Sequence, residues 1–256
     1  MSSKELRQVA VISGATGGIG SAIAARLVQE GWRVFGTTTR SVESQEDLSR
    51  ADGYLSLTQC RAEKVHQVRA FRQHVGMATR RLDLLVIAHG APPCIAPAAK
   101  LMPTQFRQVL DIDVLGAYHL CQAFGAMMLR QKRGNIVLLT SMHSVGTYPQ
   151  RVAYSTAKTA IVGLGRGLAV EWAAQNIQVN MIAPGQVEGG RTRGLATEAM
   201  IAAMKARTPA GQLINAQDIA ETVLWLTRTP GMTGQTIILD HGWTSSLWYG
   251  THDNPA

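Results

Sequence analysis

A chain of 256 residues with 46% hydrophobic and 16% charged residues can bury a sizeable core and suits one α/β domain, residues 1–256. Its longest uninterrupted apolar stretches, such as Leu84-Leu85-Val86-Ile87-Ala88, fall far short of the roughly 20 residues that cross a bilayer, so no membrane partner is expected. The net charge of +8 comes from scattered Lys and Arg without a basic run or aromatic-interleaved patch, which argues against nucleic acid and leaves a surface that attracts small anions.

In chain order, the N-terminal residues lack an apolar signal core with a small-residue cleavage site, and a cytoplasmic location is expected. Short β-rich segments then alternate with longer segments of helical period, which predicts a doubly wound parallel sheet of about seven strands with helices on both faces. The strands are expected near Val9–Ser13, Arg33–Thr38, Tyr54–Leu57, Leu82–Ala88, Asn135–Ser141, Gln178–Ala183 and Thr236–Leu239. Helices are expected over Ile19–Glu30, Ala62–Val75, Gln105–Arg130, Tyr154–Ala174 and Gln217–Thr227, the second with Val65, Val68, Phe71 and Val75 on one face and the last capped by Asn215. Four glycines mark the stretch from Gly185 to about Thr208 as a mobile substrate loop with a short helix. Cys60, Cys94 and Cys121 are odd in number and show no CxxC pairing, so neither a disulfide framework nor a metal site is suggested, and they read as buried or inert thiols.

The first strand runs into Ser13-Gly14-Ala15-Thr16-Gly17-Gly18-Ile19-Gly20 and then helical spacing. A glycine turn there lets backbone N–H groups and a helix N-terminus meet a pyrophosphate with no Cβ in the way, which makes Gly14, Thr16, Gly18, Ile19 and Gly20 candidates for a dinucleotide. About twenty residues on, an NAD-preferring fold usually carries an acid against the ribose 2′-hydroxyl; this chain has Thr37-Thr38-Thr39-Arg40. Nothing acidic repels a 2′-phosphate and Arg40 can pair with one, so NADP(H) is favoured over NAD(H), with Thr39 and Arg40 in the cofactor site. Ser56 and Leu57 on the third strand and Ala88, His89 and Gly90 after the fourth complete that side of it.

Tyr154-Ser155-Thr156-Ala157-Lys158 puts a phenol and an ammonium at i and i+4 on one helix face, where the cation favours tyrosinate over phenol. Alone, such a pair is most often a surface contact. Thirteen residues earlier Ser141 ends the fifth strand, at the carboxyl edge where open α/β sheets bind ligands, and its hydroxyl can donate to a substrate oxygen as charge develops.

Taken together, these motifs resemble the short-chain dehydrogenase/reductase family, over nearly the whole chain. The matches are the Ser-Gly-x-x-x-Gly-Ile-Gly loop, Ser141 with Tyr154 and Lys158, Asn180-Met181-Ile182-Ala183-Pro184-Gly185 after the sixth strand and Gly234-Gln235 before the last. The resemblance implies a Rossmann-type sheet and hydride transfer between nicotinamide and a ketone or secondary alcohol. It implies Tyr154 as general acid or base, Ser141 as the substrate-polarising hydroxyl and Lys158 on the nicotinamide ribose. Pro184, Gly185 and Val187 would line the nicotinamide, and a homotetramer would form on the two long helices. A 3-oxoacyl, sugar, polyol or other small carbonyl substrate is expected. The alternative is a redox-responsive regulator that binds cofactor without turnover.

Three departures stand out. Ile87-Ala88-His89-Gly90 replaces the family's Asn-Asn-Ala-Gly, removing side-chain amides that brace the sheet. Asp113 stands where the family has its proton-relay asparagine, and a carboxylate there can pair with Lys158, which places Asp113 among the catalytic candidates. Gly189 replaces the usual threonine that follows Pro-Gly-x-Val-x, and Thr192 is its nearest substitute. His143 and Tyr148, with Gln150, fall between Ser141 and Tyr154 and are expected to border the substrate. Arg191 and Arg193 are candidate anion contacts, and the aromatic tail Trp243–Tyr249 is expected to pack on the pocket or a neighbouring subunit.

Overall fold

The computed structural model describes residues 7–41, 54–189 and 196–246. Seven strands form one parallel sheet in the order β3-β2-β1-β4-β5-β6-β7: β1 (Val9–Ser13), β2 (Arg33–Thr38), β3 (Tyr54–Gln59), β4 (Leu84–Ile87), β5 (Gly134–Leu139), β6 (Ile177–Pro184) and β7 (Thr236–Leu239). The chain winds outward from β1 to one edge and then, from β4, to the other. Between β1 and β4 the order reverses, and the carboxyl ends of those two strands open the crevice in which such sheets hold ligands.

Alternation along each strand divides the core. Val9 and Val11 of β1 face one way, into an apolar layer with Phe71, Leu120, Phe124 and Trp172; Ala10 and Ile12 face the other, with Ile23, Leu27, Ile219 and Val223. The first layer is closed by α2 (Val65–Ala78), α4 (Gly116–Gln131) and α5 (Val152–Trp172), the second by α1 (Gly18–Gln29) and α7 (Ala216–Thr227). The doubly wound sheet read from sequence is therefore present, with helices on both faces.

Element ends differ from the sequence reading in informative ways. β3 continues to Gln59 because Thr58 and Gln59 still pair with Thr37 and Thr38. β5 stops at Leu139, so Ser141 lies two residues beyond the strand rather than at its last position, in a turn that begins a short 3₁₀ segment over Met142–Ser144. α2 starts at Val65, and Val65 itself is 39% exposed, off the buried face formed by Val68, Phe71 and Val75. The helix expected over Gln105–Arg130 begins at Pro103 as α3 (Pro103–Leu110), widens into a π turn over Asp111–Leu115 and continues as α4. Asn215 does cap α7, its Oδ1 accepting the Gln217 N–H at 2.9 Å.

By length and composition the run Pro103–Gln131 could cross a bilayer, although it contains no long uninterrupted apolar stretch. Half of its most apolar window is buried, and α4 packs against α2, β4, β5 and α5, so core packing accounts for its composition. The short helix expected in the substrate loop is α6 (Glu198–Ala206). Arg191, Thr192 and Arg193 lie outside the described residues, as do Leu247, Trp248 and Tyr249. Cys60 and Cys121 are buried, and burial raises their thiols to about 11 and about 12; Cys94 is half-buried.

Candidate active site

Lys158 sits in the second turn of α5, and its helix is fastened to the end of β5. The Thr140 hydroxyl donates to the Lys158 carbonyl at 2.7 Å, and Lys158 Nζ donates to the Leu139 carbonyl at 3.4 Å. Asp113, from the middle of the π turn, meets the same ammonium at 3.1 Å with its Oδ2, while its Oδ1 accepts the Ala91 N–H at 2.5 Å. The wide turn packs directly on α5, which sets carboxylate against ammonium. The ion pair expected from sequence is present and buried.

One turn before Lys158, Tyr154 presents its ring with the Lys158 Nζ 5.6 Å from the ring centre. Ser141 Oγ accepts the His143 N–H at 3.2 Å, which leaves the hydroxyl proton available to a substrate oxygen. His143 also packs edge-on against Tyr154 and against Tyr148, with ring centres 5.4 and 5.1 Å apart. Burial, with a smaller contribution from the Arg151 charge, lowers the His143 imidazole to about 4, so it faces Tyr154 as a neutral ring. Gln150 is exposed, with a left-handed backbone at φ 65°.

His89 takes over the bracing that side-chain amides would have provided. Its Nε2 lies 3.0 Å from the Ile112 carbonyl, which can only accept, so that nitrogen carries the proton. Its Nδ1 then accepts from the Ser13 hydroxyl at 2.7 Å, and Ser13 Oγ in turn accepts the Ala88 N–H at 3.1 Å. The ring thus ties β1 and β4 to the π turn that carries Asp113. Burial dominates its environment and lowers its basicity, which suits this neutral tautomer. Gly116 makes room for the same ring and for Ala62: a Cβ there would stand 2.9 Å from both His89 Nε2 and the Ala62 Cβ.

The glycine loop has three distinct physical requirements. Gly14 has φ +70° and no room for a side chain, since a Cβ would lie 2.9 Å from the His89 Cα. Gly20 lets α1 approach the Gly14 carbonyl, which a Cβ would strike. Gly18 is different, because a Cβ there would meet only the Gly189 carbonyl at an ordinary 3.6 Å. The protein's own packing does not require glycine at Gly18. Thr16 and Ile19 flank it, and the Thr16 hydroxyl joins the Thr38 hydroxyl at 2.9 Å, linking the loop to the end of β2. Thr38 Oγ1 also accepts the Arg40 N–H at 3.2 Å, and the side chains of Thr39 and Arg40 are exposed beside it.

Ser56 and Leu57 do not reach this edge. They pair with Phe35 and Gly36 midway along β2 and β3, Ser56 buried and Leu57 against Gly36. With β3 longer than read from sequence, the positions at its carboxyl end are Gln59 and Cys60, whose amide and backbone contact Thr39 and Thr38. The apolar alternation continuing through Leu57-Thr58-Gln59 is too weak a signal to have found them. On the opposite side, Pro184 ends β6, Gly185 permits the approach of Asp240 at 2.9 Å from a would-be Cβ, and Val187 bridges to Ile214. Ala88 and Gly90 flank His89 at the end of β4, half-buried. Gly189 has φ +62°, a conformation that threonine would strain, which accounts for the departure there.

The family described as enoyl-(acyl carrier protein) reductase, a branch of the short-chain dehydrogenases/reductases, matches residues 14–244. The 3-oxoacyl-[acyl-carrier-protein] reductase of Bos taurus is 29% identical over 240 residues, covering 92% of this chain and 97% of that protein. Among solved structures, a variant of actinorhodin polyketide ketoreductase with NADPH superposes with a TM-score of 0.88 at 27% identity, covering 96% of this chain and 100% of the other. NAD+-bound xylitol dehydrogenase superposes at 0.85, also at 27% identity, covering 92% and 98%. A match over this length, on a sheet with this winding, means that the chain belongs to the short-chain dehydrogenase/reductase family of nicotinamide-dependent oxidoreductases.

Proposed function

We propose that the chain is a carbonyl reductase or alcohol dehydrogenase in which Tyr154 transfers the proton, Ser141 polarises the substrate oxygen and Lys158 holds the developing charge. The observation that carries this reading is the convergence of Lys158, Asp113 and the Tyr154 ring at the carboxyl edge of β5, with Ser141 on the adjoining turn. In the reducing direction the carbonyl π bond breaks, its oxygen takes the Tyr154 proton, and the resulting phenolate is stabilised by the nearby ammonium. Ser141 donates a hydrogen bond to that oxygen while charge builds. Oxidation of an alcohol reverses these transfers. Bound nicotinamide would supply the hydride to the carbonyl carbon, or accept it from the alcohol.

The residues present fit a dinucleotide. Gly18 leaves a gap that internal packing does not need, at the N-terminus of α1, where backbone N–H groups favour an anion. Gly14, Thr16, Ile19 and Gly20 would complete the pyrophosphate turn, and Ala88, His89, Gly90, Pro184, Gly185 and Val187 would border the remainder. Thr39 and Arg40 support NADP(H) over NAD(H), because the end of β2 offers a guanidinium and hydroxyls to a 2′-phosphate and no carboxylate against it. Related structures hold either cofactor.

The substrate is a ketone or secondary alcohol, with His143 and Tyr148 beside it, and the assembly a homotetramer built on α4 and α5. NADPH oxidation measured against ketones, β-ketoacyl thioesters and ketoses tests the reading: turnover of at least one class is expected, and none with either cofactor overturns it. Light scattering tests the assembly, which a monomer would contradict.

A further inference from the structure

Beyond Tyr154 the aromatic contacts continue from ring to ring. Tyr154 meets His143, His143 meets Tyr148, and Tyr148 meets Trp243 edge-on at 5.2 Å between ring centres. At the far end the Arg207 guanidinium lies over the Tyr148 ring, 5.3 Å from its centre. A cavity of about 190 Å³ opens there between Val145, Gly146, Arg207 and Trp243. The row joins the proton donor at one end to a guanidinium at the other.

Both sides of that cleft are held in place. Arg207 closes α6, its N–H bonded to the Ala203 carbonyl, and the turn after it packs on the Trp243 turn, where a Gly242 Cβ would meet Pro209 at 3.5 Å. Asp240 fixes the Trp243 turn by accepting the Gly242 N–H at 3.0 Å, the Thr244 N–H at 2.6 Å and the Thr244 hydroxyl at 2.5 Å. That carboxylate is occupied by its own turn. His143, lowered to about 4, adds no positive charge along the row.

We propose that the substrate is a carbonyl compound with a carboxylate at the end remote from the carbonyl, and that Arg207 is the residue that selects it. This rests on the reductase reading above. Trp243 lines the cavity beside Arg207 and offers a flat surface suited to an unsaturated or aromatic spacer, and one guanidinium in a planar fork matches one carboxylate. In the sequence, an arginine at the end of a loop helix carries no signal that separates it from a solvated charge.

The test compares para-acetylbenzoate with its uncharged methyl ester, in wild type, Arg207→Gln and Arg207→Lys, with calorimetric binding of the acid to cofactor-loaded protein. Wild type is expected to favour the acid at least tenfold in kcat/KM, mainly through KM. Arg207→Gln should abolish that preference with ester turnover unchanged, and Arg207→Lys should restore part of it. Equal use of acid and ester by wild type, or a preference that survives Arg207→Gln, overturns the inference while leaving the reductase reading intact. Arg207-dependent binding of the acid with no turnover of any carbonyl compound would support the anion site and overturn the reductase reading alone.

Discussion

Asp113 Oδ2 and Lys158 Nζ lie 3.1 Å apart, with side chains 0% and 5% exposed, so a carboxylate and an ammonium share the interior next to the Tyr154 ring. The carboxylate opposes the field that the ammonium exerts on the phenol. Asp113→Asn removes that charge, and the pH–rate profile is expected to change. An unchanged profile refutes the coupling. Asp113→Ala, which leaves a buried cation without its partner, should lower stability by about 3–5 kcal/mol in denaturant unfolding.

The glycine loop separates a packing requirement from a ligand requirement. Gly20→Ala drives a Cβ into the Gly14 carbonyl and should lower stability by about 1–3 kcal/mol or more. Gly18→Ala should melt near the wild-type temperature yet bind NADPH at least tenfold more weakly, as measured by nucleotide fluorescence. Equal cofactor affinity in Gly18→Ala would remove the pyrophosphate from that position.

Arg40→Gln should reduce kcat/KM with NADPH by about tenfold or more, since a charge-assisted bond to a phosphate contributes on the order of 1.5–3 kcal/mol. The value with NADH should change little. A wild-type enzyme that strongly prefers NADH would contradict the assignment.

Acid should destabilise the fold through its buried imidazoles. His143 is lowered to about 4 against an ordinary value of about 6.5, first by burial and then by the Arg151 charge, and His89 is lowered chiefly by burial. The unfolded chain therefore takes up protons that the folded one refuses. The contribution to stability is complete above about pH 6.5 and is lost as the pH falls toward 4. Thermal midpoints measured at pH 7 and pH 4.5 should show this fall, and the fall should be smaller in His143→Gln.

Short-range signals made much of this legible. Short β-rich segments and the glycine turn marked β1, β2 and α1, and the spacing of Tyr154 and Lys158 marked one helix face. The Asp113 carboxylate was expected to reach Lys158, and it does. Less visible were relations set by packing across the sheet. The π turn has no local sequence signature, and the end of β3 depends on partners in β2, so Ser56 and Leu57 were placed at an edge that Gln59 and Cys60 occupy. His89 was legible as a lost amide, but its bridge between Ser13 and Ile112 required a contact between chain segments far apart in sequence. Arg207 meets Tyr148 through a contact between segments far apart in the chain.

Proton transfer by Tyr154 is the central claim, and its most direct test is NADPH-dependent carbonyl reduction by Tyr154→Phe beside wild type, with cofactor affinity measured on both. The ring and its packing against His143 are retained in that variant, and only the hydroxyl is lost. A fall in kcat of at least a hundredfold with unchanged NADPH affinity is expected. Undiminished turnover in Tyr154→Phe would contradict the account.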